Sequence, residues 1–252
     1  IVSFHPAPNF ALMRAVRRER SRVAVAAVVV DLVSIHAAWF APGVHTFFVP
    51  TEEARRRALR WHIPAGHVHV IGGMPVRRAF LEAQSLSQTE ARAVLGLPQG
   101  VPVVLIVGGG EGMGPLEAVV RAIAARRPRA HLVAIAGNNR DLYDKLSGLQ
   151  LPVPLQVERF VFNMPVWMRA ADILVTKAGP NSLCEAFVSG LPVILYSALL
   201  GQEEGNAAWV VNNRAGIWAP RPKKAAKAVM ALLADPVRRR QMAERGRTLV
   251  RA

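Results

Sequence analysis

Residues 172–206 read D-I-L-V-T-K-A-G-P-N-S-L-C-E-A-F-V-S-G-L-P-V-I-L-Y-S-A-L-L-G-Q-E-E-G-N. The apolar runs 173–175 and 193–196 have the length of buried strands. Between them, a turn leads into a helix that Asn181 or Ser182 can cap and that the Gly190–Pro192 segment ends. The stretch therefore predicts a strand–helix–strand unit of a parallel sheet. Its polar residues gather at the strand ends, where such sheets bind ligands.

The chemistry of this unit follows from its geometry. A helix N-terminus preceded by small residues offers free backbone N–H groups and the positive end of the helix dipole, which suit a diphosphate. Glu185, about one turn inside the helix, can accept hydrogen bonds from a ribose diol. Gln202 and Glu203, in the loop after the second strand, can reach a sugar beyond the phosphates. The alternative is an ordinary turn that needs only a glycine and a cap, because one glycine turn is weak evidence for a ligand.

The rest of the chain repeats the alternation of strands and helices, which predicts parallel α/β layers. Residues 81–100 lack a strand and have the character of a connection with one short helix. We therefore predict two Rossmann-like domains, residues 1–95 and 96–252. The chain starts inside a predicted strand and without Met, so we expect part of the first domain to be missing.

A glycine-rich loop, G-G-G-E-G-M-G-P at 108–115, follows a predicted strand and opens a helix. Glycines let a backbone approach a phosphate or a sugar closely. The loop fits neither the dinucleotide fingerprint nor a Walker loop. The alternative is a glycine turn that holds no ligand.

The segment R-F-V-F-N-M-P-V-W-M at 159–168 also follows a strand. Its aromatic side chains can hold a flat base while backbone groups read the base edge. The alternative is that Phe160 and Trp167 simply pack in the core.

An acid and a histidine follow the strand 23–30 in the stretch V-V-V-D-L-V-S-I-H-A-A-W-F. Asp31 at a cleft between the domains can deprotonate an acceptor hydroxyl, and His36 can assist it or contact the acceptor. The alternative is that Asp31 caps a turn and His36 packs.

Composition limits the partners. The formal net charge of +15 favours anions such as phosphorylated small molecules or anionic lipid headgroups. The arginine triplets 55–57 and 238–240 instead look like exposed helix faces, so nucleic acid is not expected. No D-x-D motif, metal-ligand spacing or G-x-S-x-G elbow occurs in the sequence, and no apolar run is long enough to span a membrane.

The strings K-A-G-P-N-S-L-C-E-A, G-L-P-V-I-L and G-Q-E-E-G-N resemble the donor half of GT-B glycosyltransferases, and most closely the monogalactosyldiacylglycerol synthases and related diacylglycerol glycosyltransferases. The glycine loop and the D-L-x-x-x-H-x-x-W-F pattern extend the resemblance, which runs from His5 to about Gly216. The resemblance implies a GT-B fold and inverting transfer of galactose or glucose from a UDP-sugar to diacylglycerol, without a bound metal or other cofactor. It implies a peripheral enzyme on the cytoplasmic face of an anionic membrane.

The same resemblance assigns the site residues. Asp31 is the candidate base, with His36 second, and His5 matches a further position at the cleft. The candidate donor contacts are Gly109, Gly110, Glu111, Gly112 and Met113 in the glycine loop; Phe160, Val161, Phe162, Asn163 and Met164 at the uracil; Lys177, Ala178, Gly179, Pro180, Asn181 and Ser182 at the diphosphate; Glu185 at the ribose; and Gln202, Glu203 and Asn206 at the hexose.

One departure affects the expected activity. The family's first glycine-rich loop, which carries its own histidine, does not occur in this chain, so the activity of the chain alone stays open. Two alternatives also stay open: a GT-B transferase or UDP-sugar epimerase with another substrate, and a non-catalytic nucleotide- or RNA-binding protein. For the membrane, we expect N-terminal segments such as Trp39–Pro42 to be exposed and to dock on anionic lipid.

Overall fold

The carboxyl ends of two parallel sheets carry the polar loops of this chain. A computed structural model describes residues 1–110, 112, 114–199 and 203–250. The first sheet has four strands in the order β1-β2-β3-β4. Its elements are β1 (Val2–Ser3), α1 (Asn9–Arg18), β2 (Ala26–Val28), β3 (Thr46–Val49), α2 (Glu52–Arg60) and β4 (Val68–Val70). Thr51 caps α2 by accepting a hydrogen bond from the Ala54 N–H.

The second sheet has six parallel strands in the order β10-β9-β8-β5-β6-β7. Its strands and helices are β5 (Val103–Val107), α5 (Leu116–Ala124), β6 (His131–Ile135), α6 (Arg140–Ser147), β7 (Leu155–Glu158), α7 (Met164–Ala170), β8 (Ile173–Lys177), α8 (Pro180–Val188), β9 (Val193–Ser197), α9 (Glu204–Asn212), β10 (Gly216–Trp218), α10 (Pro222–Ala234) and α11 (Pro236–Val250). The predicted α/β fold with two parallel sheets is confirmed. Strand β10 was not predicted, because three residues carry too little pattern.

Both faces of the second sheet are buried, which explains its continuous apolar strands. Along β5, Val103 and Leu105 pack into one core cluster, whereas Val104 and Ile106 pack into the cluster on the opposite face. Leu32, from the loop after β2, belongs to the first of these clusters. The segment that follows β2 therefore packs directly against the second sheet.

Two further helices, α3 (Arg78–Glu82) and α4 (Gln88–Val94), connect the sheets. Phe80 and Ala91 from these helices are buried in a core cluster of the second sheet. The domain boundary after residue 95 stays a prediction. In the described part of the chain, no helix combines the length and apolar character needed to cross a membrane.

Candidate functional site

Two adjoining cavities lie at the carboxyl end of the second sheet. The inner cavity has a volume of about 150 Å³, and the outer cavity about 230 Å³. Gly109, Thr176 and Ser182 line both. The inner cavity is also lined by Arg77, Val107, Gly110, Ile135, Gly137, Phe160, Val161, Met164, Met168, Leu174 and Glu185. The outer cavity is also lined by Lys177, Gly179, Pro180, Asn181 and Glu203. Residues from five strand ends of the second sheet thus converge, as parallel topology requires, and Arg77 joins them from the first sheet.

The glycine loop after β5 forms the floor that the two cavities share. Gly109 and Gly112 have φ angles of +80° and +56°, a backbone conformation that side chains disfavour. A Cβ placed on Gly109 would lie 3.3 Å from Cε of Lys177, so the lysine side chain lies over the loop. The predicted contacts Glu111 and Met113 lie outside the described residues. A Cβ placed on Gly110 would meet no atom within 4 Å, so the loop is open at this residue.

Gly137, after β6, was not predicted as a site residue although it fixes this loop. Its φ angle is +67°, and a Cβ at this position would collide with the carbonyl oxygens of Gly109 and Gly110. The Asn138 N–H donates to the Gly110 carbonyl at 2.7 Å. Only a glycine therefore allows the two loops to pack so closely.

We predict that Gly137→Ala lowers the melting temperature by roughly 5–10 °C, because positive φ and the overlap together cost about 2–4 kcal/mol. The displaced glycine loop should weaken binding of any ligand in the inner cavity. Thermal unfolding followed by circular dichroism measures the first effect. Gly66→Ala is the control, because a Cβ at Gly66 meets no atom within 4 Å. Equal melting temperatures for the two variants would contradict the packing argument.

The N-terminus of α8 faces the outer cavity. Gly179 is its N-cap residue, Pro180 stands in the first turn where its missing N–H costs nothing, and no side chain caps the helix. The prediction that Asn181 or Ser182 caps α8 was wrong, because the helix begins before both residues. Among the described residues, no group accepts a hydrogen bond from the N–H of Asn181 or Ser182. These amides and the helix dipole are therefore available to an anion.

Two residues hold the loop that leads into α8. Ala178 is fully buried, and its carbonyl accepts a hydrogen bond from Nδ2 of Asn206 at 3.0 Å. The Oδ1 atom of Asn206 is buried and, within the described residues, has no hydrogen-bond partner. Asn206 thus fixes the loop with one side-chain atom and retains a free acceptor in the other.

Glu185 and Arg77 form the charged wall of the inner cavity. Nε of Arg77 lies 3.8 Å from Oε1 of Glu185, and the side chains are 59% and 18% exposed. Burial raises the pKa of Glu185 above its ordinary value, and the Arg77 guanidinium partly offsets this shift. Sequence reasoning missed Arg77, since it follows β4 of the first sheet and no local motif marks it. An ionisable pair with a perturbed carboxylate in a cavity is a frequent mark of a functional site.

In the segment after β7, some residues line the inner cavity and the rest lie on the surface or pack in the core. Phe160, Val161 and Met164 line the inner cavity, and Phe160 is 45% exposed rather than packed in the core. Phe162 is 87% exposed and contacts Phe160 edge to face, with ring centroids 5.1 Å apart. Oδ1 of Asn163 accepts a hydrogen bond from Nε1 of the buried Trp167 at 3.1 Å. The inner cavity therefore offers an apolar wall to a flat ring, while Trp167 serves the core.

The loop after β9 supplies one residue to the outer cavity. Glu203 is 9% exposed, and its Oε2 accepts a hydrogen bond from the Leu199 N–H at 2.9 Å. A Cβ at Gly179 would lie 3.5 Å from Oε1 of Glu203, so that oxygen faces the start of α8. Gln202 lies outside the described residues.

Asp31 is held in position by neighbours from the first sheet. It is 7% exposed, and its Oδ2 accepts a hydrogen bond from Nε1 of Trp39 at 2.7 Å. Thr51 donates its hydroxyl to the Leu32 carbonyl, and Nε of Arg57 donates to the Ile35 carbonyl. No described residue donates a hydrogen bond to Oδ1 of Asp31. One carboxylate oxygen is thus oriented while the other is open to a substrate.

His36 does not pack in the core, so the alternative that it packs was wrong, and its role at the acceptor stays a prediction. His36 is exposed, and its Nδ1 accepts the Ala38 N–H at 3.1 Å. This bond places the imidazole proton of neutral His36 on Nε2. His5 is also exposed, and its Nδ1 accepts the Ala7 N–H. Both histidines lie in loops that follow strands of the first sheet, at the same edge as Asp31.

The loop that carries Asp31 contacts the second sheet. The Gly205 N–H, at the start of α9, donates to the Ser34 hydroxyl at 3.2 Å. Asp31, His36 and His5 line neither cavity, but this contact places the segment of Asp31 and His36 beside the start of α9. The site thus has a cavity side on the second sheet and a carboxylate side on the first.

The expectation that Trp39–Pro42 is an exposed membrane segment was wrong. Trp39, Phe40 and Ala41 are 1%, 8% and 2% exposed and belong to the core cluster of the first sheet. These apolar side chains pack in the core, and the Trp39 indole N–H donates its hydrogen bond to Asp31.

Comparisons with known proteins find matches for both parts of the chain. Residues 103–245 match the family model for the glycosyltransferase family 28 C-terminal domain, and residues 1–76 match that for monogalactosyldiacylglycerol synthase. A probable chloroplastic monogalactosyldiacylglycerol synthase of Nicotiana tabacum is 36% identical over 238 residues, which cover 91% of this chain and 44% of the relative. The chain thus spans about half the length of the curated relatives it matches.

Solved structures share the fold. MurG of Acinetobacter baumannii aligns with 98% of this chain and 67% of its own, at 15% identity and a TM-score of 0.67. The MnaA–UDP co-structure from S. aureus aligns with 100% of this chain and 71% of its own, at 15% identity and a TM-score of 0.71. At this identity the likeness concerns the fold alone.

Proposed function

Because this chain belongs to glycosyltransferase family 28, and its residues 1–76 match the model for monogalactosyldiacylglycerol synthase, we propose that it carries the donor site and the base of an enzyme that transfers a hexose from a UDP-sugar to diacylglycerol. One observation carries the proposal. The glycine loop, the uncapped start of α8 and the Glu185 carboxylate meet around the two adjoining cavities.

The donor is oriented with its uracil in the inner cavity and its hexose in the outer cavity. The uracil lies in the inner cavity against Phe160 and Val161, and the ribose diol donates to the Glu185 carboxylate. The diphosphate lies at the start of α8, where free amides, the helix dipole and Lys177 stabilise its charge. The hexose then points into the outer cavity toward Glu203, with Gln202 and Asn206 kept as predicted contacts. Divalent metal is not required in this arrangement.

The reaction is a direct displacement with inversion. Asp31 takes the proton of the diacylglycerol hydroxyl, whose oxygen attacks the anomeric carbon of the hexose. The bond from that carbon to the diphosphate breaks, and UDP leaves with the electron pair. The amides at the start of α8 stabilise the charge that develops on the leaving group. The Asp31–Trp39 bond keeps the carboxylate oriented, and His36 or His5 contacts the acceptor side.

The acceptor defines where the protein works. Diacylglycerol stays in a membrane, so we propose a peripheral enzyme on the cytoplasmic face of a membrane rich in anionic lipid. Whether the hexose is galactose or glucose depends on the orientation of one hydroxyl. Thin-layer analysis of the lipid product formed with each donor identifies it.

Isothermal titration calorimetry with UDP, UDP-hexose and RNA tests the proposal. Selective binding of UDP and UDP-hexose supports it, whereas RNA binding without affinity for UDP would show a non-catalytic nucleic-acid protein instead.

Arg77→Ala gives a sharper prediction. Removing the guanidinium leaves Glu185 without its ion-pair partner and removes a cation from the cavity wall, so UDP affinity should fall by about tenfold. Arg78→Ala is the matched control, because Arg78 is 89% exposed and, among the described residues, forms its ion pair with the surface residue Glu82. An equal effect of both substitutions on the calorimetric Kd would contradict a role for Arg77 in the donor site.

A further inference from the structure

Another cavity, of about 360 Å³, lies at the amino edge of the second sheet. Asp172 and Pro192, which lie just before β8 and β9, form part of its wall. The first residue of α4, the turn after α8 and one face of α11 form most of the rest. The donor cavities lie at the carboxyl ends of the same strands, so the length of the sheet separates them from this amino-edge cavity.

The amino-edge cavity has an excess of positive charge. Among the described residues that line it, four are arginines and one is an acid, Asp172. Oδ2 of Asp172 lies 2.6 Å from Nη2 of Arg92, a buried residue outside the lining, and accepts the Val103 N–H at 2.7 Å. The charge of this acid is therefore already balanced by a fifth arginine. The four lining arginines leave the cavity complementary to an anion.

Two of the lining arginines are bound to the protein backbone, and two are not. Nε of Arg169 donates to the Leu86 carbonyl at 2.6 Å, and Nη1 of Arg239 donates to two carbonyls in the last turn of α10. The side chains of Arg240 and Arg247 form no ion pair or hydrogen bond with any other described residue. These two residues lie two turns apart on one face of α11, so both guanidinium groups can reach one ligand.

Arg247 is held in place although it has no counter-ion. Its side chain is half-buried, and a Cβ at Gly190 would collide with its guanidinium group. The guanidinium therefore lies directly against the turn that follows α8. The negative end of the α8 dipole favours a cation there, but among the described residues no carbonyl accepts a hydrogen bond from Arg247. A partly desolvated charge without a partner costs free energy, which a bound anion would offset.

We propose that the amino-edge cavity binds a phosphate monoester, with Arg240 and Arg247 in contact with the phosphate oxygens. A planar guanidinium group can donate two parallel hydrogen bonds to a phosphate, and two such groups suit a doubly charged one. The volume is at the lower end of the range for small-molecule sites, which fits a small phosphorylated molecule. The site is distinct from the donor cavities, so the inference does not depend on the proposed function.

The cavity also touches both segments that join the two sheets. Gln88 at the start of α4 lines it, and α4 belongs to the connection between the sheets. Helix α11 runs from the cavity to the first sheet, since a Cβ at Gly73, after β4, would lie 3.7 Å from the Val250 carbonyl oxygen. A bound phosphate would therefore hold α4 and α11 together on the second sheet and raise the melting temperature of the chain.

Calorimetric titration of the full chain with glycerol 3-phosphate, at constant ionic strength, tests the site. The Arg240→Ala/Arg247→Ala variant should bind roughly 100-fold more weakly, since hydrogen bonds from a charged group account for about tenfold or more each. Arg238→Ala/Arg245→Ala is the matched control, because it makes the same charge change on α11 at residues that line a separate cavity. The control should bind within about twofold of the unmodified chain. Equal losses in the two variants would overturn the proposal.

A single substitution keeps the test independent of folding. Arg240 is exposed, so Arg240→Glu should leave the melting temperature without ligand unchanged, yet it should weaken binding at least about tenfold by placing an acid beside the phosphate. Unchanged affinity in this variant would contradict the proposal. Excess UDP should not displace glycerol 3-phosphate, and competition between them would instead assign the phosphate to the donor cavities.

The phosphate group can belong to a soluble molecule or to a lipid headgroup. Flotation with vesicles of phosphatidylcholine, with and without a minor fraction of phosphatidate, distinguishes these sources. Binding of glycerol 3-phosphate that is lost in Arg240→Glu supports a soluble ligand. Vesicle binding that requires phosphatidate and is lost in Arg240→Glu, without affinity for glycerol 3-phosphate, supports a lipid headgroup in the same site. Binding of neither probe by the unmodified chain would overturn the site.

Discussion

Replacing Asp31 by Asn is expected to lower kcat by roughly 10² to 10⁴, the usual range for loss of a general base. The amide keeps the shape of the carboxylate, and its oxygen can still accept the hydrogen bond from the Trp39 indole. It cannot accept a proton from the acceptor hydroxyl. The affinity for UDP should not change, because Asp31 lines neither donor cavity. Rates of glycolipid formation by the complete protein, with calorimetry of UDP, measure both quantities.

Two further variants make this prediction specific. Asp141→Asn changes an exposed carboxylate at the start of α6 and should leave kcat unaltered. Trp39→Phe removes the N–H that orients Asp31, so kcat should fall by about tenfold while KM for the UDP-sugar stays constant. A kcat for Asp31→Asn within threefold of the unmodified enzyme would show that another group is the base, with His36 as the next candidate.

Replacing Glu185 by Ala is expected to weaken UDP binding by roughly 10- to 100-fold, because hydrogen bonds to a charged group contribute about 1.5–3 kcal/mol. The carboxylate lies in the wall of the inner cavity, about one turn from the free amides of α8. Calorimetry gives the Kd. Uridine should lose affinity by a similar factor, since Glu185 is assigned to the ribose and not to the phosphates. A loss confined to UDP would contradict that assignment.

Glu185→Gln tests stability as well as binding, and we expect the two effects to have opposite signs: weaker binding of UDP but no loss of stability at neutral pH. Burial raises the pKa of Glu185 above its ordinary value of 4.5. The folded protein therefore holds this proton more tightly than the unfolded chain. The stability contributed by the protonated form is fully present below about pH 4.5 and is lost as the pH rises through the folded pKa. At neutral pH, the Gln variant should thus be at least as stable as the unmodified protein while it binds UDP more weakly.

Thermal unfolding of both forms between pH 4 and pH 8 decides this prediction. The difference in melting temperature should shrink as the pH falls through the raised pKa. UDP affinity of the unmodified protein, relative to the Gln variant, should also fall over that range, because protonation removes the acceptor. A Gln variant that is less stable at neutral pH would show that Glu185 serves the fold rather than the site.

The sequence predicted the donor side well because its signals are local. Alternating strands and helices, a glycine loop after β5 and a turn before α8 are each encoded within about ten residues. In parallel sheets, such loops meet at one edge whatever the remaining packing. The cavity residues Gly109, Phe160, Ser182 and Glu185 were therefore found without a structure, although their ligand roles stay predictions.

Other features depended on contacts between distant parts of the chain. Arg77 and Gly137 carry no motif of their own, and each matters only through a partner on another strand end. The apolar segment Trp39–Ala41 was predicted to be exposed but is buried in the core. The prediction failed because apolar composition alone does not distinguish a buried loop from a membrane contact. The bond between Asn163 and Trp167, by contrast, is local, but the spacing did not predict it.

By itself, the sequence determined the two parallel sheets, the order of their elements and the strand ends that hold the polar loops, because periodicity and turn residues act over short stretches. Only the tertiary structure decided which of those ends share a cavity, that Arg77 of one sheet faces Glu185 of the other, and that Trp39 orients Asp31. The Asp31–Trp39 bond lies within the segment that follows β2, whereas the Arg77–Glu185 pair arises from how the two sheets pack on each other. That packing is set by many nonlocal contacts at once, so no single segment of the chain encodes it.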